Sequence, residues 1–318
     1  MPRVAQLEPV SDSDDPRVDD FRDLSRADRR PDRPGGRGLV IAEGVVVVER
    51  LLASPYPVRS LMGVRRRIEA LAEPLAEVDV PAHVVEADVM ARVVGFHLNR
   101  GVLAVADRAS EPDLDHLLAT SQRLAVLEGV GDHENLGALF RNAAALGVDA
   151  VLLGAGCADP LYRRAVRVSM GHVLRVPFAQ LPSWPQDLRL LREHGFRTAA
   201  LTPGEDAVAV RRAELHRGRV AVLLGSEGPG LSEEATAEVD TTVRIPMHRG
   251  VDSLNVATAA AVTFYEMGGG ETSPAAGERV AAGSGAGGPN AGGPDTGGPD
   301  TGGPGTRAPG AGADGEPS

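Results

Sequence analysis

From Leu124 to Met267 the chain alternates short apolar runs with amphipathic stretches, and no other feature restricts its fold as strongly. Leu124–Leu127, Ala150–Leu153, Val176–Phe178, Arg197–Leu201, Val220–Leu224 and Thr242–Ile245 read as strands. Leu136–Leu146, Tyr162–Leu174, Pro185–His194, Glu233–Ala237 and Ser253–Met267 read as helices. Strands separated by helices at this spacing form a parallel sheet covered on both faces. The expected class is α/β.

A shorter alternation precedes it. Strands at Leu39–Ala42, Val58–Leu61, His83–Val85 and Gly101–Ala106 interleave with helices at Gly44–Ala53, Arg65–Ala76 and Asp88–Val94. This pattern predicts a small α/β domain. The expected organisation is a mostly flexible segment over 1–37, a small α/β domain over 38–108, a linker over 109–121, the parallel-sheet domain over 122–267 and a tail over 268–318. Within the first segment a short helix is expected at Val18–Arg29. The tail, with near-repeats of Gly-Gly-Pro-Asp-Thr, has almost nothing apolar to bury and should be disordered.

Composition removes several classes of chemistry. No lysine occurs among the 33 basic residues, which excludes a Walker-A phosphate loop and Schiff-base catalysis. The single cysteine, Cys157, excludes an internal disulfide and a multi-Cys zinc site. The eight histidines show no paired ligand spacing, so no metal is expected. No apolar run reaches eighteen residues and the N-terminus is charged, which predicts no membrane span and a cytoplasmic location. The net charge is −11, of which the tail's six acids and two arginines account for −4 and leave −7 elsewhere. A nucleic-acid partner would therefore need a local arginine patch.

Three junctions carry chemistry. Asn135-Leu136-Gly137-Ala138-Leu139-Phe140-Arg141 follows a strand and opens a helix. Glu134 or Asn135 would cap that helix, Gly137 would let a group approach closely, and Arg141 could grip a phosphate. Gly225-Ser226-Glu227-Gly228-Pro229-Gly230 follows the most apolar strand. Its glycine spacing is not that of a dinucleotide loop, and Pro229 removes a donor. A plain Gly-Pro turn would not need Glu227. In Ile245-Pro246-Met247-His248-Arg249-Gly250-Val251-Asp252-Ser253-Leu254-Asn255, a strand stops at Pro246 and Ser253 would cap a small-residue helix. Asn255, one turn in, would be costly to bury without a partner.

In this order and at this separation, the three segments resemble the motifs of the SpoU (TrmH-like) RNA 2'-O-ribose methyltransferases of the SPOUT superfamily. The resemblance spans about residues 122–267 and extends weakly back to about residue 38. It implies a deep trefoil knot, S-adenosylmethionine as cofactor, and a homodimer in which two subunits share each active site. Gly225, Ile245 and Leu254 would contact the cofactor largely through backbone atoms, with Met247 and Gly228 beside it. Asn135, Arg141, Glu227, Ser253 and Asn255 would form the catalytic, polar part of the site. Ala42-Glu43-Gly44 and Gly101-Val102-Leu103-Ala104 resemble the RNA substrate-binding domain of rRNA-directed members, which favours rRNA over tRNA. Arg163, Arg164 and Arg167, with Arg175, make the best local basic patch, and His97 and Arg100 are further candidates for RNA contact. Two other readings stay open: a catalytically silent RNA-binding or ribosome-assembly factor on the same fold, and an ordinary Rossmann-type nucleotide enzyme.

Overall fold

The structure is a computed structural model and describes residues 5–24, 38–248 and 250–268. Its first sheet contains β1 (Gln6–Val10), β2 (Leu39–Glu43), β3 (Val58–Gly63), β4 (Pro81–Val85) and β5 (Val102–Asp107), in the order β1-β4-β3-β5-β2. β5 runs antiparallel to β2 and β3, and the other pairs are parallel. α1 (Val45–Leu52), α2 (Arg65–Glu69), α3 (Ala72–Leu75) and α4 (Ala87–Val94) connect these strands.

The second sheet is parallel throughout. Its strands are β6 (Arg123–Glu128), β7 (Ala150–Leu153), β8 (Phe178–Gln180), β9 (Arg197–Leu201), β10 (Val208–Ala209), β11 (Val220–Gly225) and β12 (Thr241–Arg244). Their order is β10-β12-β9-β11-β6-β7-β8. β11 lies near the middle, and Val220 to Leu224 are all buried. Each such side chain contributes roughly 1.5–3 kcal/mol by leaving water. Around the sheet lie α5 (Leu114–Thr120), α6 (His133–Ala145), α7 (Arg163–Val168), α8 (Leu188–Glu193), α9 (Glu233–Ala237) and α10 (Val256–Met267).

Several expectations fail, each for a physical reason. Residues 6–21, expected to be flexible, supply β1 and a 3-10 turn at Pro16–Phe21 whose Val18 and Phe21 are fully buried. Asp15 caps that turn, so it begins before Val18; residues 22–24 are turn and not helix, and residues 25–29 lie outside the described residues. The linker over 109–121 contains α5, capped by Asp113 and anchored by Leu117 and Leu118. The helix expected at Arg65–Ala76 divides at Ala70-Leu71. The tail, for which disorder is expected, lies outside the described residues beyond Gly268.

The helix expected at Tyr162–Leu174 also breaks. Met170 and Gly171 take positive φ values of 54° and 81°, and a 3-10 turn at His172–Leu174 follows. A Cβ on Gly171 would lie 3.2 Å from Val47 and 3.4 Å from Arg50, so this turn admits α1 of the first sheet. One apolar core accordingly runs from Val47, Val48 and Leu51 through Phe140 and Val173 to Leu224 and Phe264.

Candidate active site

The three junctions lie at the carboxyl edge of the second sheet, where parallel α/β folds bind ligands. β6 and β11 pair with Glu128 opposite Gly225, so the chain leaves both strands at one level. Asp132, and not Glu134 or Asn135, caps α6: its carboxylate accepts from the backbone N–H groups of Glu134 (2.8 Å) and Asn135 (2.9 Å). The Asn135 side chain is thereby left for other partners.

Asn255 supplies the partner. Its Nδ2 donates to Asn135 Oδ1 at 2.8 Å and to Glu227 Oε1 at 2.6 Å. Its Oδ1 accepts from the N–H groups of Ala257 and Thr258 and caps α10. Asn255 and not Ser253 is therefore the cap, and Asn255 sits exposed at the helix mouth and not within it. One amide thus joins all three junctions. Ser253 is exposed in the approach to α10 and makes no hydrogen bond among the described residues.

The loop after β11 is closed on itself. Gly230 N donates to Ser226 O at 3.1 Å, and a Cβ on Gly225 would lie 2.2 Å from the Gly230 carbonyl carbon. Only glycine fits there, so backbone atoms line this edge. Gly228 and Glu227 are exposed at the loop tip, and Ile245, Met247 and Leu254 are half-buried along the neighbouring segment. Arg249 lies outside the described residues.

Gly137 serves α7 and not a ligand: a Cβ there would lie 2.8 Å from Ala165 O and 2.9 Å from Val168 Cβ. Arg141 stands apart from the three joined residues. Six residues beyond Asn135, it falls about 240° further around the helix. It is exposed and forms no hydrogen bond or ion pair among the described residues. Its charge acts on the His172 ring together with those of Arg50 and Arg175.

The predicted RNA patch separates into unlike parts. Arg163 lies over the Phe96 ring, 4.9 Å from its centroid, and its Nη1 is 3.9 Å from Oε2 of Glu43, which is 6% exposed. Arg100 Nε approaches Glu43 Oε1 at 3.9 Å. Arg163 is therefore a half-buried bridge from α7 to the first sheet, not an RNA-facing side chain. Burial lowers its pKa from the ordinary guanidinium value, with Glu43 opposing. Arg164 pairs with Glu134 on the surface, Arg167 is half-buried and His97 is exposed.

Sequence reasoning missed Glu128, Trp184 and Asn142. The Glu128 carboxylate accepts from Trp184 Nε1 (2.5 Å), Ser232 N (2.9 Å) and Ser232 Oγ (2.8 Å), tying two connections to the end of β6. Asn142 Nδ2 donates to Ala257 O at 2.7 Å and holds α10 on α6. The signals were a carboxylate ending an apolar strand, the only tryptophan, and an asparagine seven residues from Asn135. Burial pushes the Cys157 thiol pKa up, which disfavours the reactive thiolate. Among the described residues no three potential metal ligands cluster, and no helix is long and apolar enough to cross a membrane.

A parallel sheet with three glycine- and asparagine-bearing loops joined at its carboxyl edge defines an α/β protein of the ligand-binding class. The profile of the SpoU rRNA Methylase family matches residues 122–265. The chain is 57% identical over 267 residues to an uncharacterized tRNA/rRNA methyltransferase of Mycobacterium tuberculosis, covering 83% of this chain and 93% of that protein. It is 30% identical over 234 residues to the 23S rRNA (guanosine-2'-O-)-methyltransferase RlmB of Acinetobacter baylyi, covering 70% and 94% respectively. Among solved structures, the AdoMet-bound rRNA methyltransferase of Sinorhizobium meliloti superposes with a TM-score of 0.71 at 25% identity, covering 85% of this chain and all of that one. The chain belongs to the SpoU family of RNA methyltransferases.

Proposed function

We propose that this protein transfers a methyl group from S-adenosylmethionine to an RNA ribose 2'-hydroxyl, with rRNA a better candidate than tRNA. The observation that carries the reading is the Asn255 amide, which joins Asn135 and Glu227 beside the Gly225 loop. The edge suits the cofactor, because a Cβ at Gly225 would occupy the backbone's own space. Gly225, Gly228, Ile245, Met247 and Leu254 would hold it.

The sulfonium supplies an already activated methyl group, so the protein's work is to align the attacking oxygen with it. Glu227 Oε1 is engaged by Asn255, which leaves Oε2 to accept a hydrogen bond from the ribose. Asn135 and Asn255 fix that carboxylate, and Ser253 offers a hydroxyl at the same mouth. A guanidinium is too weak a base to abstract a proton, so the role of Arg141 is to grip the adjacent phosphate.

Arg141 points away from the triad of its own chain, which supports a homodimer in which one subunit's arginine completes its partner's site. The exposed Thr258, Val262 and Tyr265 on one stripe of α10 suit such a contact. The trefoil knot and an RNA-binding role for the first sheet complete the reading, with a cytoplasmic location.

The test is methyl transfer from labelled S-adenosylmethionine into total rRNA and total tRNA, with Arg141→Ala alongside. Label recovered as a 2'-O-methylnucleoside in one class and lost in the variant is the expected outcome. Absence of both incorporation and cofactor binding would leave the silent RNA-binding factor as the reading.

A further inference from the structure

Three elements converge on the Met170-Gly171 turn: α1, α6 and the 3-10 turn at His172–Leu174. Arg50 of α1 lies along Gly171, where an added Cβ would be 3.4 Å from its Cβ and Cδ. Its Nη1 donates to the Met170 carbonyl, and its other two nitrogens make no hydrogen bond among the described residues. Arg141 and Arg175 are exposed, and neither side chain forms a hydrogen bond or ion pair there. His172, which opens the 3-10 turn, is half-buried, and the charges acting on its ring are those of Arg50, Arg175 and Arg141. Burial and these cations hold its pKa below the usual histidine value.

No carboxylate faces these three arginines among the described residues, whereas several other surface arginines are neutralised. Arg59, Arg92, Arg164 and Arg192 each face a carboxylate. Beyond Arg175 the surface falls into a cleft of about 300 Å³, lined by Arg175, Tyr56, Leu174, Phe178, Arg108 and Pro112 among others. Arg108 is paired with Asp159. Free guanidinium groups beside an aromatic trough match the two needs of a single strand: phosphate neutralisation and base stacking.

We propose that the surface formed by Arg50, Arg141, His172 and Arg175, together with the Tyr56 cleft, is the track for a single-stranded segment of substrate RNA. Phosphates lie on the arginines, and a base enters the cleft. The track rests on the RNA methyltransferase reading and extends it from the reacting ribose to a path crossing both sheets.

The test measures binding of the full chain to a labelled 20-nucleotide oligouridine over a salt series. The double variant Arg50→Ala/Arg175→Ala should bind about tenfold or more weakly at low salt. Its log–log salt slope should flatten by about 1.4, at roughly 0.7 per lost phosphate contact. Tyr56→Ala should lose about 5- to 100-fold in affinity with the slope unchanged. Arg189→Ala, on exposed α8 surface, serves as the control. Cofactor binding is measured separately by calorimetry, so failure of the methyltransferase reading shows there and not in the RNA slopes. Should Arg50→Ala disturb the Met170 turn, Arg175→Gln alone decides, with an expected slope change of about 0.7. Unaltered affinity and slope in the arginine variants would overturn the track. So would equal competition by polyglutamate, or variant-sensitive binding shown only by a duplex.

Discussion

Asn255 Nδ2 lies 2.8 Å from Asn135 Oδ1 although 120 positions separate the two residues. The same Asn255 side chain starts α10 through its oxygen and reaches Glu227 through its nitrogen. Helix start and site geometry therefore depend on one residue, and substitutions can separate the two roles.

Asn255→Asp keeps an acceptor for the Ala257 and Thr258 N–H groups but places a second carboxylate against Glu227. Asn255→Ala loses both functions, and the lost cap costs about 1 kcal/mol. Thermal melts should therefore rank Asp above Ala, whereas methyl transfer should fall at least 100-fold in both. Activity in the Asp variant near that of the wild type would remove Asn255 from the site.

Gly225→Ala would press a methyl group onto the backbone of Gly230 and Leu231 at 2.2–2.3 Å. Nothing flexible stands there to yield, so a destabilisation of about 1–3 kcal/mol is expected. Calorimetric titration should show S-adenosylmethionine affinity falling in step. Chemical denaturation measures the stability term.

Arg163→Ala should destabilise by about 2 kcal/mol, below the 3–5 typical of a fully buried pair because Arg163 is partly exposed. It would leave Glu43, whose Oε2 is buried and makes no hydrogen bond among the described residues, with Arg100 as its remaining cation. Adding Glu43→Gln should recover part of the loss, and a double-mutant cycle reads the coupling. Arg164→Ala breaks only a surface pair and should stay within about 0.5 kcal/mol.

Arg219 shows what the absence of lysine permits. Its Nε donates to Ser121 O (3.0 Å), Nη1 to His194 O (2.5 Å), and Nη2 to Ser121 O (2.9 Å) and to Leu118 O. The guanidinium also stacks over Phe196 at 4.2 Å. An ammonium cannot reproduce that planar fork. Arg219→Lys should cost about 1–3 kcal/mol by thermal melting, since carbonyls lose donors, while Arg189→Lys should be silent.

Acid should weaken the first sheet through His83, which is 3% exposed on β4 beside Glu8 of β1. Burial lowers its pKa from 6.5 and outweighs the pull of Glu8. The unfolded chain therefore binds this proton first. The contribution is complete above about pH 6.5 and drains away as pH falls toward the lowered value. His172, also lowered, adds to the same slope. His83→Val should flatten the dependence of the melting temperature between pH 6.5 and 5.

Much of this was legible in advance. β6, β7, β9 and β11 fall within a residue or two of their apolar runs, because buried parallel strands need unbroken hydrophobicity. β1 escapes: it carries Pro9, exposes Leu7 and buries only Val10. β10 is two residues long and leaves no pattern to read. The motif segments are recognisable by residue identity, yet their mutual contact depends on how α10 lies on α6, which Asn142 fixes near the end of the first segment. Helical phase could have separated Arg141 from Asn135, since six residues do not close a whole number of turns.

The last strand of the second sheet ends at Arg244, and Asn255 comes eleven residues later. A growing polypeptide therefore holds every strand of its scaffold before it holds the residue that unites the three loops. A chain halted between those points would lack Asn255 and all of α10, whose Phe264 and Met267 complete the buried core. Core and mouth are therefore finished together, at one late moment of synthesis.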